Sequence, residues 1–528
     1  MKKIRFLIGS FLPIFSILGV GAYLRLHKIS LYMTFLGDEG RDVSIVRRMI
    51  TEGKWTLLGP TASVGGFFMG PIYYYFMLPF LWLWNFNPVG PAIMVALFGI
   101  ATIFLVYYVS KRMFGGIVGL VASSLYALSP LIISYSRSSW NPNIVPFFGI
   151  LLFFFLWDVV VHNRWNRLFW IGVLLGILLQ LHYTCLALFG VVWIWFLLYG
   201  RNRSRIKNYL MGVMGFIVGF LPFLVFEIRH GFMNIRSIVT FVFEGKDTGF
   251  SLVHFWTNII DVYFRLFGRL VLRLPEKGTL GNLPVMEKMF YVDSTWIIAL
   301  AGLICLVGMI WHKQYFIRLF SLEGKRKDQF FYGISLLVLW ISISLCFFGF
   351  YKKSIYEYYF GMLYFVPFVL IGLVFRTLFS QTTMWRIIGF FGVGILLFHN
   401  WRGMPFQYEP NNQLGQVESI AREIVTHSEG KPFNFALITG GNSDHAYRYF
   451  FELWGKSPIT IENAVIDPQR KSVTDQLLIV CEDTSCQPLG NSLWEVAGFG
   501  RAEIRESWYF SVVKLYKLIH YEETGSGQ

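Results

Sequence analysis

This sequence predicts a polytopic α-helical membrane protein with a small extracytoplasmic α/β domain at its C-terminal end. Three observations predict it: apolar runs fill the first 400 or so residues, Lys and Arg collect on one side of those runs, and the composition changes after about residue 400. With 55% hydrophobic residues, 54 Phe and 18 Trp, and only 15% charged residues over 528 positions, the chain is far from the average soluble domain.

The apolar runs are read as eleven spans, at about 6–24, 88–110, 116–133, 143–160, 168–181, 184–199, 208–226, 294–311, 330–349, 359–375 and 386–399. Most approach the length that crosses ~30 Å of hydrocarbon. The first lacks a small-residue cleavage site and is read as a retained helix rather than a signal peptide. One side of these spans carries 18 Lys and Arg, whereas the short loops opposite carry Arg137, Lys352 and Lys353. The positive-inside rule then puts the N-terminus in the cytoplasm and the C-terminal domain outside a cytoplasmic (plasma) membrane. The net charge of +15 becomes a topology signal, which removes nucleic acid as the reason for it.

Four outer regions carry the polar residues. In the first, 25–87, residues 39–53 have Val43, Val46, Met49 and Ile50 at helical spacing, and Asp38 can cap that helix. Residues 73–84 are apolar and rich in Tyr and Trp but short for a span, which suits an interfacial helix. The second region, 134–143, reads Ser-Tyr-Ser-Arg-Ser-Ser-Trp-Asn-Pro-Asn. The third, 227–293, is long and mixed, with Glu227 and Arg229 read as a simple ion pair or, alternatively, as site residues, and with Asp261 and Arg265 further on; the fourth, 351–359, is rich in Lys and Tyr.

Two domains follow, 1–400 in the membrane and 401–528 outside it. In the outer domain a helix at 415–427 leads to a strand at 433–439, a Gly-Gly-Asn turn at 440–442 and a helix at 443–454. A strand at 476–481 and one or two more within 499–517 complete an α/β unit, and 522–528 read as a disordered tail. Cys481 and Cys486 lie on the oxidising side, where a disulfide between them is allowed. Cys185, Cys305 and Cys346 sit in or beside spans and read as small buried hydrophobes.

The candidate chemistry starts at Gly37-Asp38-Glu39-Gly40-Arg41-Asp42, just past the first span. The plain alternative is a helix cap with acids favouring the positive helix end. Against it, Gly37 and Gly40 leave room for another molecule, and desolvation at the water–lipid boundary would raise a carboxyl toward the range of a general base. A base with no evident acid partner suits a phosphate leaving group, which needs cations rather than a proton. Arg137, Lys352 and Lys353 are the short-loop cations on that side; their plain alternative is headgroup anchoring. His182 and Tyr183, in a tight outer turn, are either further contacts to donor phosphate or sugar or a structural interfacial pair.

The order is an Asp-Glu pair in a long first outer loop, an amphipathic helix, an Arg…Asn-Pro loop, a Lys/Tyr-rich loop and an outer soluble tail. In this it resembles the GT-C membrane glycosyltransferases, in the branch of protein O-mannosyltransferases and the lipid A aminoarabinose transferase. The resemblance covers the membrane region and is most specific at Gly37-Asp38-Glu39, 45–53 and Trp55. It implies inverting transfer from a polyprenyl-phosphate sugar, a co-substrate rather than a cofactor, to a lipid, protein or cell-wall glycan acceptor. It further implies Asp38 as base, Glu39 orienting it or the acceptor, and Lys352 or Lys353 with Tyr358 at the donor phosphate.

Two departures stand out. Relatives often have Lys-Pro where this chain has Gly70-Pro71, so Arg137 is left to substitute; and they often have Asp-Pro where it has Asn141-Pro142. Asn141 can hydrogen-bond a sugar but cannot act as a second base, so the base role rests on Asp38. Its loss of charge weakens a divalent metal site without excluding one. The rival functions are a lipid-linked glycan flippase or transporter, which predicts ionisable groups within the spans, and an oligosaccharide polymerase or ligase.

Overall fold

The computed structural model describes residues 2–62, 65–200, 206–244, 247–276, 278–312, 329–483 and 485–521. The basic segments 201–205 and 313–328 and the tail from 522 lie outside the described residues.

Each of the eleven expected spans is built mainly of helix. Among the described residues six are long and apolar enough to cross a bilayer on their own: Val89–Phe114, Asn141–His162, Ile206–Arg229, Val285–Trp311, Gln329–Gly349 and Thr383–Trp401. A seventh, Glu357–Leu363 with Val366–Phe379, bends by 51° at its break. Of the other four expected spans, the first is met by helix Lys2–Leu26 and the rest by shorter apolar helices: Gly116–Leu128, Trp165–Leu181 and Tyr183–Tyr199. Exposed apolar side chains such as Ile387, Phe390, Phe391, Ile395 and Phe398 on one helix need hydrocarbon, not water, around them. The protein is a multi-pass membrane protein.

Inside a bilayer the hydrophobic effect does not drive helices together, so close packing must. Helix Leu168–Leu181 and helix Ile206–Arg229 meet through glycines. A Cβ on Gly172 would lie 2.0 Å from the Gly212 carbonyl oxygen, and one on Gly215 1.9 Å from that of Phe169. These two backbones touch because neither carries side chains at the seam.

Contacts divide the chain into two compact units, 1–29 with 55–80 and 91–409, and 30–54 with 81–90 and 410–528. The C-terminal part of the second unit begins at 410, and two parts of the 25–87 region, 30–54 and 81–90, fold with it. Its sheet runs β1 (Asn434–Ile438), β2 (Gln476–Cys481), β3 (Ala502–Phe510) and β4 (Val513–His520) in spatial order β1-β2-β4-β3. The β1–β2 pair is parallel and the other two pairs are antiparallel. Every residue of β2 is buried, as expected of a central strand. Cys481 and Cys486 form a disulfide.

Helix Gly37–Glu52, the acidic helix, belongs to this second unit. It buries Val43, Val46 and Met49 against helix His445–Leu453, and Arg47 pairs with Glu452 at 2.9 Å. The small residues at its start have a purpose different from the expected one. A Cβ at Gly40 would sit 2.4 Å from the Cα and N of Ala446, and one at Gly37 1.9 Å from Ser443 Oγ. The space beside Gly37 is filled by Ser443 and that beside Gly40 by the backbone at Ala446, so it is not open to another molecule. Gly40→Ala is therefore expected to cost about 1–3 kcal/mol through overpacking. Thermal unfolding in detergent checks this, and an unchanged midpoint would refute the close packing.

Candidate active site

Asp38 does not cap the acidic helix. The helix starts at Gly37 with Leu36 as its N-cap, and the Glu39 carboxylate turns back to accept the Leu36 N–H at 3.0 Å. Asp38 thus sits in the first turn with its side chain 56% exposed, held by Arg41 at 2.8 Å. Arg41 also binds the fully buried Asp42 at 2.8 Å. One guanidinium thereby bridges two carboxylates and fixes the direction of the exposed one. His445 lies within electrostatic reach of both Asp38 and Arg41; burial pushes its imidazole below the usual range, Asp444 and more weakly Asp38 oppose that shift, and Arg41 and Arg448 add to it.

The carboxyl that burial perturbs is Glu39. Desolvation pushes it up to about 7, the charges of Asp42 and Asp38 add to the rise, and the N–H groups of Leu36 and Glu39 oppose it. A carboxyl raised from 4.5 binds its proton more tightly in the folded protein. Its stabilisation is therefore complete below pH 4.5 and is lost as the pH rises through about 7. The total is about 3 kcal/mol. Glu39→Gln keeps an oxygen for Leu36 and cannot ionise. Compared between pH 5 and 8.5, the wild-type unfolding midpoint is expected to fall relative to that of the variant, and parallel profiles would exclude the raised carboxyl.

The other expected site residues belong to the first unit, and the structure brings only some of them together. Tyr358 lies on the 3-10 turn Glu357–Leu363 with its ring 4.3 Å from Trp140, 4.8 Å from Tyr359 and 6.0 Å from His182. His182 is buried, 2.8 Å from Thr184 Oγ1, whose hydroxyl donates to the Tyr359 carbonyl at 2.6 Å. Burial pushes its imidazole down to about 4, so it is neutral at pH 7 and is no phosphate cation. Tyr183 donates its hydroxyl to the Phe68 carbonyl and packs edge-on against Phe67. Asn141 is buried and spends its amide on the Leu181 carbonyl at 2.6 Å.

The cations separate. Arg137 is buried and donates to the carbonyls of Leu24, His27 and Lys28 at 2.8, 2.8 and 3.1 Å, closing the end of the first span. Lys353 pairs with Asp247 at 2.8 Å. Lys352 has no carboxylate partner among the described residues, and its neighbour Tyr351 packs on Tyr359 at 6.0 Å. Gly70, where the resemblance implies a lysine, has no room for one: a Cβ there would lie 2.2 Å from the Gln180 side chain.

Arg265, in the mixed third region, and Arg269 were not among the expected site residues. Arg265 and Arg269 both approach Glu357, next to Tyr358, at 3.5 and 3.0 Å, and Arg265 also pairs with Asp261 at 2.8 Å. Arg265 at four residues from Asp261 was a signal, but Glu357 lies some ninety positions away. Glu227 and Arg229 form no ion pair among the described residues. The buried Glu227 accepts instead from Asn234 Nδ2 at 2.8 Å and the Ile235 N–H at 3.2 Å, at the start of helix Met233–Phe243.

Residues 69–226 match the family model described as dolichyl-phosphate-mannose-protein mannosyltransferase. Among solved structures, ArnT from Cupriavidus metallidurans bound to undecaprenyl phosphate is similar at a TM-score of 0.58. The identity is 12%, over 97% of this chain and 98% of that one. The Archaeoglobus fulgidus oligosaccharyltransferase gives 0.48 at 12% identity, over 88% of this chain and 67% of that one. The mycobacterial arabinofuranosyltransferase AftD gives 0.45 at 13% identity, over 96% of this chain and 40% of that one. No curated protein matches the chain in sequence. The chain has the GT-C fold of ArnT, with a small sheet region at its C-terminal end, and the expected resemblance to GT-C glycosyltransferases is borne out.

Proposed function

We propose that this protein is a glycosyltransferase that moves one sugar from a polyprenyl-phosphate donor to an acceptor hydroxyl at the outer face of the cytoplasmic membrane. The observation that carries it is the exposed Asp38 carboxylate, aimed by Arg41 on the first turn of a helix docked through glycines. The GT-C fold shared with a structure holding undecaprenyl phosphate supports a lipid-phosphate donor, and the Lys and Arg asymmetry supports the orientation.

The acceptor oxygen attacks the anomeric carbon as the bond to the phosphate oxygen breaks, with inversion. Asp38 takes the hydroxyl proton and the lipid phosphate leaves with the electron pair. Because phosphate departs as a stable anion, the reaction needs positive charge rather than a general acid. Lys352, without a carboxylate partner among the described residues, fills that role beside the tyrosines of the 351–359 loop. Arg137 and Asn141 are engaged with main-chain carbonyls and hold the loop that presents Trp140. Glu39 secures the turn that carries Asp38.

Proteoliposomes loaded with labelled polyprenyl-phosphate hexoses, pentoses and aminopentoses, with cell-envelope extracts as acceptor, test the reading. Label appearing on a non-lipid or new lipid product supports it. Movement of intact donor across the bilayer without transfer overturns it in favour of a flippase.

A further inference from the structure

The Gly440-Gly441-Asn442 turn, between β1 and helix His445–Leu453, reaches back to the start of the acidic helix. Asn442 Oδ1 accepts the Gly37 N–H at 2.9 Å and the Ser443 N–H at 2.8 Å, while its Nδ2 donates to Glu482 Oε1 at 2.9 Å. Glu482 also accepts from Thr439 Oγ1 at 2.7 Å and from the Tyr447 hydroxyl at 3.3 Å. A carboxylate only accepts, so it forces the Asn442 amide nitrogen toward itself and the amide oxygen toward Gly37. Glu482 is itself held, lying inside the loop closed by the Cys481–Cys486 disulfide at the end of β2.

Gly37 is the residue before Asp38. The first turn of any helix has N–H groups without helical partners and frays when they are unmet. Leu36, the N-cap here, has no side-chain oxygen, so the cap comes from a residue 405 positions away. Ser443 and Ala446 fill the space at Gly37 and Gly40 and stop that turn from rotating.

We propose that Asn442, oriented by Glu482, is a positioning residue: it fixes the helical turn that aims Asp38 and so sets the rate of proton removal without touching substrate. This rests on the reading of Asp38 as the base. Asn442→Ala is expected to lower kcat about 10–100-fold, the loss that misplacing a catalytic group by an ångström brings. The donor KM should stay within about twofold, because the donor phosphate is held elsewhere. Asn442→Asp faces Glu482 with two carboxylates and should lose activity more as pH rises. Adding Glu482→Gln restores a donor–acceptor pair and should restore kcat.

Hydrogen exchange at residues 37–41 gives a readout independent of activity, with protection lost in the Ala and Asp variants and regained in the double variant. Exchange that responds while kcat of Asn442→Ala stays at wild type overturns the positioning role and leaves the transferase reading intact. Absence of transfer by the wild type overturns the transferase reading, and the proposal with it, whatever exchange shows. If Asn442→Ala fails to fold, the Asp variant and its partner decide alone: a single variant as active as the double at every pH overturns the proposal.

Discussion

Asp38→Asn is expected to lower the turnover of sugar transfer by about 10²–10⁴-fold, the range contributed by a positioned general base. The substitution keeps the shape of the side chain and leaves an oxygen for Arg41, but the amide cannot take a proton. Because the Asp38 side chain is 56% exposed, folding should barely change, by about 0.5 kcal/mol at most. Activity lost with an unchanged unfolding midpoint therefore reports chemistry. Binding of the donor, measured separately by displacement of a labelled polyprenyl phosphate, should be close to wild type. Equal turnover in the two proteins removes Asp38 from the mechanism. In that case His445, its neighbour in the second unit, becomes the group to substitute next.

Lys352→Met is expected to raise the donor KM and lower kcat/KM by about 10–100-fold, the worth of roughly 1.5–3 kcal/mol for a hydrogen bond to a charged group. Lys353→Met should cost much less, because Lys353 is already neutralised by Asp247. The comparison isolates the phosphate role from general surface charge, since both changes remove one cation from the same loop. Lys352→Arg should recover part of the loss, with a shift in KM rather than kcat. If Lys353→Met proves the more damaging variant, the assignment of the two lysines is reversed. If neither moves KM, the donor phosphate is held by another pair, and Arg265 with Arg269 is the best placed.

Most of the fold was legible because its signals are local. Each apolar run became helix, and in the C-terminal unit both expected helices, the strand Gln476–Cys481 and the strands within 499–517 appeared nearly in place. The helix Trp494–Phe499 was missed, being only six residues long and without a periodic pattern. The candidate site was legible in part. Asp38 and Glu39 stood out because acids just past a span are unusual, yet their division of labour was not readable. Which of two adjacent carboxylates is exposed depends on where the helix begins, and Leu36 rather than Asp38 turned out to be the cap. Arg137 stood out for a related reason. A cation on the disfavoured side needs an explanation, and here three backbone carbonyls at the end of a helix supply it.

By itself, then, the sequence determined a multi-pass helical membrane protein with an α/β unit after it, the acidic start of the first-loop helix and the Lys/Tyr loop. Hydropathy over 20 residues and charge beside it act through solvent, and solvent preference is written residue by residue. The tertiary structure alone decided that Gly37 and Gly40 serve close packing, that Glu39 secures the turn while Asp38 faces outward, and that Asn442 caps it. Those outcomes depend on hydrogen bonds and steric contacts a few ångströms long between residues hundreds of positions apart, and no local pattern encodes such pairs.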